Sequence, residues 1–167
     1  MNLSNRFNIL GLESKSMKNC IFCQIAKKKA PAEIIWEDKK YLAFLGIFPN
    51  TKGFTVLIPK KHYSSYFANM PSAALAEMLK VCQKVAKLLD RKLPDVGRCG
   101  LIFEGWGVDH IHAKIIPMHG TANIKRWRAI SASLDKYFDK YEGYLSSHDY
   151  KRTDDKELAK LAQKIRS

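Results

Sequence analysis

Two histidines and a lysine stand at two-residue intervals in the stretch GVDHIHAKIIPMHG, residues 107–120. They are His110, His112 and Lys114, and apolar residues separate them. Because side chains alternate faces along a strand, this spacing predicts one strand face that carries all three, with the apolar residues facing a core. Two imidazoles and an ammonium on one face would form a site for a negatively charged group. A solvated strand face with scattered polar residues is the alternative.

A second set of candidate ligands begins at Cys20-Ile-Phe-Cys23. This spacing lets two thiolates bind one tetrahedral metal ion, and His62 is a candidate third ligand. Two buried thiols at the start of a helix are the alternative. The remaining cysteines, Cys82 and Cys99, are interpreted as core residues.

The composition of the 167-residue chain is that of a globular protein, with 46% hydrophobic and 11% aromatic residues. This excludes wholesale disorder, and no apolar run reaches the roughly 18 residues of a membrane span. The first residues, MNLSNRFNILGLESKS, lack the pattern of a secretory signal. We therefore expect a cytoplasmic protein whose four cysteines form no disulfide framework.

The net charge is +13, from 29 basic and 16 acidic residues. Such a surplus favours anionic partners such as nucleotides, nucleic acid or acidic membrane surfaces. The basic residues are spread along the chain, however, which is typical of a solvated surface. Nucleic-acid binding is therefore an alternative rather than the favoured interpretation, and no membrane partner is expected.

Apolar periodicity and turn residues predict alternating strands and helices. A short helix is predicted over residues 20–30 and a long amphipathic helix over residues 71–93. Five strands are predicted, over residues 33–38, 41–47, 54–60, 99–105 and 110–118. Another amphipathic helix is predicted over residues 153–166, where Asp154 and Glu157 have capping-box spacing. Since hairpins dominate the order, we expect an α+β fold, an antiparallel sheet with helices on one face.

Together these residues resemble the HIT (histidine triad) family, in particular its Hint-type branch. The resemblance runs from about Cys20 to Gly120 and includes CxxC, the strand end IPKKH, a long helix and HIHAKIIP, in the family's order. It implies a HIT-like five-stranded antiparallel sheet with two helices, continued across a homodimer. The chain then divides into an N-terminal tail (1–16), a HIT domain (17–120) and a C-terminal extension (121–167) that ends in the amphipathic helix.

The resemblance implies a nucleotide-binding hydrolase or nucleotidyl transferase with His112 as its nucleophile. The family's middle histidine attacks the α-phosphorus of a nucleoside phosphoramidate or dinucleoside polyphosphate, and water then hydrolyses the nucleotidyl-histidine. A neutral imidazole is a competent nucleophile near pH 7, and nearby cations would stabilise the phosphate oxygens. Lys114 and His110 are candidate phosphate ligands. His119 is a candidate proton donor if it folds back to the site, with an ordinary surface histidine as the alternative.

Zinc-bearing members of the family use four positions that Cys20, Cys23, His62 and His110 fill here. With two sulfur and two nitrogen ligands, such a site would be closed and the zinc structural. No other cofactor is expected.

The chain departs from the family pattern in four places, and one of them is the GQS element that usually precedes the triad, where FEGWGVD stands instead. Lys114 stands where the family has its third histidine, and a lysine keeps its charge at neutral pH without acting there as an imidazole acid–base. Gly46 stands near the family's ribose-binding acid, and Phe103 replaces the asparagine of its NEG motif. Two alternatives therefore stay open: a non-catalytic nucleotide-binding HIT protein, and an aprataxin-like protein that removes adenylate from nucleic-acid ends.

Overall fold

The computed structural model describes residues 19–122 and 139–140. The chain divides into two units, Met1–Lys125 and Arg126–Ser167, and the elements below belong to the first. The predicted helix over residues 153–166 lies outside the described residues. No helix in the described part of the chain is long and apolar enough to cross a membrane.

Five strands form one antiparallel sheet in the order β1-β2-β3-β5-β4, which confirms the predicted α+β fold. The strands are β1 (Ile34–Glu37), β2 (Tyr41–Leu45), β3 (Thr55–Pro59), β4 (Val96–Ile102) and β5 (Ala113–His119). A tight turn joins β1 to β2, because the carboxylate of Asp38 accepts the backbone N–H groups of Lys40 and Tyr41, each at 2.7 Å. β1 and β4 are left as the edge strands.

The last two strands begin at different residues from those predicted. β4 begins at Val96 instead of residue 99, and β5 begins at Ala113 instead of residue 110. The segment ahead of β5 pairs outside the sheet, since the backbone N–H of Ile111 donates to the carbonyl of Tyr63 at 3.0 Å. The histidines at 110 and 112 therefore lie just before the strand, and the prediction that they belong to it is wrong.

Within residues 19–122, two α-helices pack on the sheet, α1 (Ile21–Ala26) and α2 (Ser72–Lys92). α2 agrees with the predicted helix over residues 71–93. α1 is shorter than predicted, because Lys28 adopts a left-handed φ of 58° and turns the chain.

The helices cover opposite faces of the sheet. Residues along β2 alternate between two core clusters, so that each face of the sheet presents apolar side chains. α2 covers the face with Tyr41, Ala43 and Leu57, and Ile25 of α1 packs against the face with Leu42, Phe44, Val56 and Ile58. The prediction that both helices lie on one face is therefore wrong, since each apolar face needs its own cover.

Candidate functional site

Four metal-binding side chains converge between α1 and the segment ahead of β5: Cys20, Cys23, His62 and His110. Their ligand atoms all lie within 4.8 Å of one another. Nδ1 of His110 lies 3.5 Å from the Sγ atoms of both cysteines, and Nδ1 of His62 lies 3.4 Å from Sγ of Cys23. The structure thus brings together all four residues that the sequence proposed as metal ligands.

The separations within this cluster fit a tetrahedral zinc ion. Zinc–sulfur distances of about 2.3 Å and zinc–nitrogen distances of about 2.0–2.1 Å place S and N ligands about 3.6 Å apart at the tetrahedral angle. Nε2 of His110 donates to the carbonyl of Pro59 at 2.9 Å, so the lone pair of Nδ1 faces the thiols. Because both nitrogens of His110 are engaged in this way, the ring has none to offer a phosphate.

Burial sets the protonation states in the cluster. It lowers the pKa of His110 to about 4, so this ring is neutral at pH 7, as a metal ligand must be. Burial and the neighbouring Cys20 raise the pKa of Cys23 to about 11. Metal binding at neutral pH would therefore release protons from the thiols.

His112 is buried and fixed in one tautomer. Its Nδ1 lies 2.8 Å from the carbonyl oxygen of His110 and must donate to it, because a carbonyl only accepts. Nε2 is then left with the free lone pair. Burial also lowers the pKa of His112 below its ordinary value of 6.5, so the ring is neutral at pH 7. A neutral imidazole with one free lone pair is chemically suited to attack an electrophile.

Phe22 links the cysteine pair to this imidazole. It lies between Cys20 and Cys23 on α1, and its ring makes edge-on contacts with His110 and His112, at centroid distances of 5.9 and 5.3 Å. Anchoring of α1 by the cysteines therefore also positions the ring that packs on His112. Sequence analysis missed Phe22, although its position inside the CxxC motif was the signal that could have found it.

Lys114 lies beyond His112, on the sheet face that α1 covers. Its register partner on β3 is Val56, which belongs to the core cluster of that face. Lys114 forms an ion pair with Glu104, and these side chains are only 26% and 14% exposed. Burial lowers the pKa of the Lys114 ammonium below its ordinary value.

Glu104 was missed by sequence analysis. The feature that could have identified it is its place in the sequence, as a single carboxylate in the glycine-rich stretch FEGWG ahead of the histidines. The structure therefore shows that the ammonium of Lys114 already has a partner, and an anion that binds to it would have to share or displace that carboxylate.

His119 lies at the opposite end of β5, about 20 Å along the strand from Ala113. Its Nδ1 lies 2.8 Å from the Asp95 carboxylate and its Nε2 lies 2.9 Å from the carbonyl of Lys52. These two acceptors raise the pKa of His119 above its ordinary value of 6.5. The structure does not bring His119 to His112, and we assign it no role in the chemistry.

Comparison with known proteins agrees with this fold and site. A model of the HIT domain matches residues 27–121. An uncharacterized HIT-like protein from Methanocaldococcus jannaschii is 34% identical over 130 residues, which cover 74% of this chain and 99% of that protein. The adenosine 5'-monophosphoramidase hnt1 of Schizosaccharomyces pombe is 35% identical over 103 residues, which cover 59% of this chain and 74% of that protein.

Among solved structures, a zinc-bound histidine triad family protein from Mycobacterium smegmatis matches with a TM-score of 0.58 and 28% identity. The match covers 68% of this chain and 84% of that one. The antiparallel sheet and its buried histidine pair thus define a histidine-triad class of protein. The chain belongs to the HIT domain family.

Proposed function

We propose that the protein is a Hint-type nucleotidyl hydrolase that acts at the α-phosphate of a nucleoside phosphoramidate or a dinucleoside polyphosphate. The orientation of His112 carries this proposal, because the His110 carbonyl holds Nδ1 and leaves Nε2 as a neutral nucleophile. The similarity to the adenosine 5'-monophosphoramidase of S. pombe supports the substrate class.

The reaction proceeds in two displacements. Nε2 of His112 forms a bond to the α-phosphorus while the bond from phosphorus to the leaving nitrogen or oxygen breaks, and the leaving group takes up a proton. Water then attacks the nucleotidyl-histidine, which releases the nucleoside monophosphate and restores the imidazole. Lys114 stabilises the charge on the phosphate oxygens, sharing its ammonium between the substrate and Glu104.

The cluster of two cysteines and two histidines is proposed as a structural zinc site. A zinc ion held by Cys20, Cys23, His62 and His110 would cross-link α1 to the segment that carries His112. Its four protein ligands would leave no open position for substrate. Because such a site needs reduced thiols, it agrees with the expectation of a cytoplasmic protein.

Turnover of adenosine 5'-phosphoramidate tests the proposed activity. We expect release of ammonia together with AMP, measured by chromatography of the nucleotide. AMP binding without turnover would contradict a hydrolase. That result would favour the second candidate function, a non-catalytic nucleotide-binding HIT protein. The ion pair between Lys114 and Glu104 supports this second candidate.

Substitutions of the ion pair should move nucleotide affinity in opposite directions. Lys114→Met keeps the side-chain length and removes the charge, so we expect AMP binding to weaken by about 10- to 100-fold, the worth of a hydrogen bond to a charged group. Glu104→Gln should tighten AMP binding, because it removes a carboxylate that competes with phosphate. Calorimetric titration measures both, with Lys39→Met at an exposed position as the control. Equal affinity for wild type and Lys114→Met would contradict phosphate binding by this lysine.

A homodimer with a continuous sheet is proposed from the outer edge of β4, with which no other strand of the described residues pairs. Leu101 on this strand and Leu79 on α2 are 44% and 41% exposed, and they line an apolar cleft of about 370 Å³. A second copy paired along β4 would cover both the edge and the cleft.

Light scattering at micromolar concentration should give twice the chain mass of 19.1 kDa. Leu101→Glu should shift the protein to the monomer mass, because it places a charge in the apolar contact. Ile47→Glu, at a position that is 83% exposed and away from β4, should leave the dimer intact. A wild-type mass of 19.1 kDa would exclude the dimer under these conditions.

A further inference from the structure

Four cations form a row along the outer side of α2. The members of this basic row are Lys80, Lys84, Lys87 and Arg91, all of them exposed. At 3.6 residues per turn they fall within a sector of about 60°. That sector lies opposite the side that α2 buries, whose buried residues are Met78, Val81, Cys82, Val85 and Leu89.

No acidic residue interrupts the basic row. The two acidic residues of α2, Glu77 and Asp90, lie outside its sector and contact other groups. Glu77 pairs with Lys40 at 2.7 Å, and Asp90 accepts from the thiol of Cys99 at 3.5 Å. Within the described residues, no carboxylate forms an ion pair with the basic row.

Like charges at this spacing oppose helix formation. Neighbours in the basic row are three or four residues apart, where side chains face each other and charges of one sign repel. Exposed helices commonly place an acid and a base at these positions instead. The packing of α2 against the sheet holds the helix in place despite this repulsion. A row of cations that does not contribute to folding points to an anionic partner.

The length of the row fits a polymer of phosphates. From Lys80 to Arg91 the helix rises about 16 Å. Duplex DNA presents phosphates at regular intervals along each strand, so several cations of the row can contact phosphates of the same duplex. We propose that the basic row binds the phosphate backbone of a nucleic acid duplex, independently of base sequence.

Other polyanions fit this surface less well. A helix that binds a membrane surface inserts its apolar side, and the apolar side of α2 is buried in the core. Single-stranded nucleic acid is bound by aromatic side chains that stack on the bases, and the sector of the row contains only the four cations and Ala73. A duplex backbone needs only cations in a row, which is what α2 presents.

Fluorescence anisotropy tests the proposal. It measures the binding of the full chain to a labelled 20-base-pair DNA duplex at a series of salt concentrations. Each phosphate contact contributes about −0.9 to the slope of log K against log salt concentration. The double variant Lys84→Gln/Lys87→Gln removes two contacts, so its slope should be shallower than that of wild type by about 1.8. The control Lys29→Gln/Lys39→Gln changes the net charge equally, at exposed positions outside α2, and should keep the wild-type slope.

Three results would overturn the proposal. The control variant could lose as much slope as the α2 variant, which would mean that only the net charge matters. Wild type could bind the duplex without salt dependence, or not at all. Finally, phosphatidylserine vesicles of equal total charge could bind more tightly than the duplex, which would identify a membrane surface as the partner.

Discussion

The variant His112→Asn should lose at least about 10⁴-fold in kcat/KM for adenosine 5'-phosphoramidate, because removal of a nucleophile abolishes the covalent route. Asparagine keeps an N–H group that can donate to the carbonyl of His110, as the imidazole does. An amide nitrogen has no lone pair that can attack phosphorus. The substitution therefore separates the loss of the nucleophile from the loss of a structural hydrogen bond.

The control for this experiment is His119→Asn. His119 is a histidine on the same segment, but it lies at the far end of β5 against Asp95 and Lys52. We expect kcat/KM within about twofold of wild type, since the ring is remote from the site. If His112→Asn retained a tenth or more of the wild-type activity, His112 would not be the nucleophile.

Loss of zinc should lower both the stability of the fold and the rate of turnover. The purified protein is expected to carry about one zinc per chain, measured by mass spectrometry of the metal. At free zinc about 1,000 times its dissociation constant, the ion stabilises the fold by about 4 kcal/mol, and a chelator should remove that contribution. Turnover should fall as well, because α1 places Phe22 against His112.

Matched serine substitutions test the same site. Cys20→Ser/Cys23→Ser should bind no zinc and should unfold at the temperature of the chelated wild type. Cys99→Ser is the control, because this cysteine lies outside the cluster and serine can still donate to Asp90. Wild type that contains no zinc after purification in reducing buffer without chelator would contradict the site.

The sequence was sufficient for the features that depend on local pattern and on motif order. Alternating apolar residues predicted the sheet, and helical spacing predicted α2 to within a residue at each end. The cysteine pair and its two histidines were recognised because the family motif fixes their order, although they are far apart in the chain. Their convergence in space agrees with that reading.

The remaining features depend on contacts that no local pattern encodes. Burial of both faces of β2 places α1 and α2 on opposite sides, and only the folded sheet shows which apolar residues each helix covers. The backbone hydrogen bond from Ile111 to Tyr63 takes this segment out of the sheet, so β5 begins only at Ala113 and the two histidines lie before it. The partnership of Glu104 with Lys114 likewise arises from tertiary placement of a glycine-rich loop.

The central claim is that His112 carries a nucleotidyl group during turnover. A single-turnover experiment tests it directly. The enzyme is mixed with an equal amount of adenosine 5'-phosphoramidate and quenched in alkaline denaturant, and the intact chain and its peptides are then analysed by mass spectrometry. We predict one adenylyl group per chain on His112 at early times, and none in His112→Asn. An adenylyl group on another residue such as Lys114, or complete turnover with no adduct at any quench time, would contradict the claim.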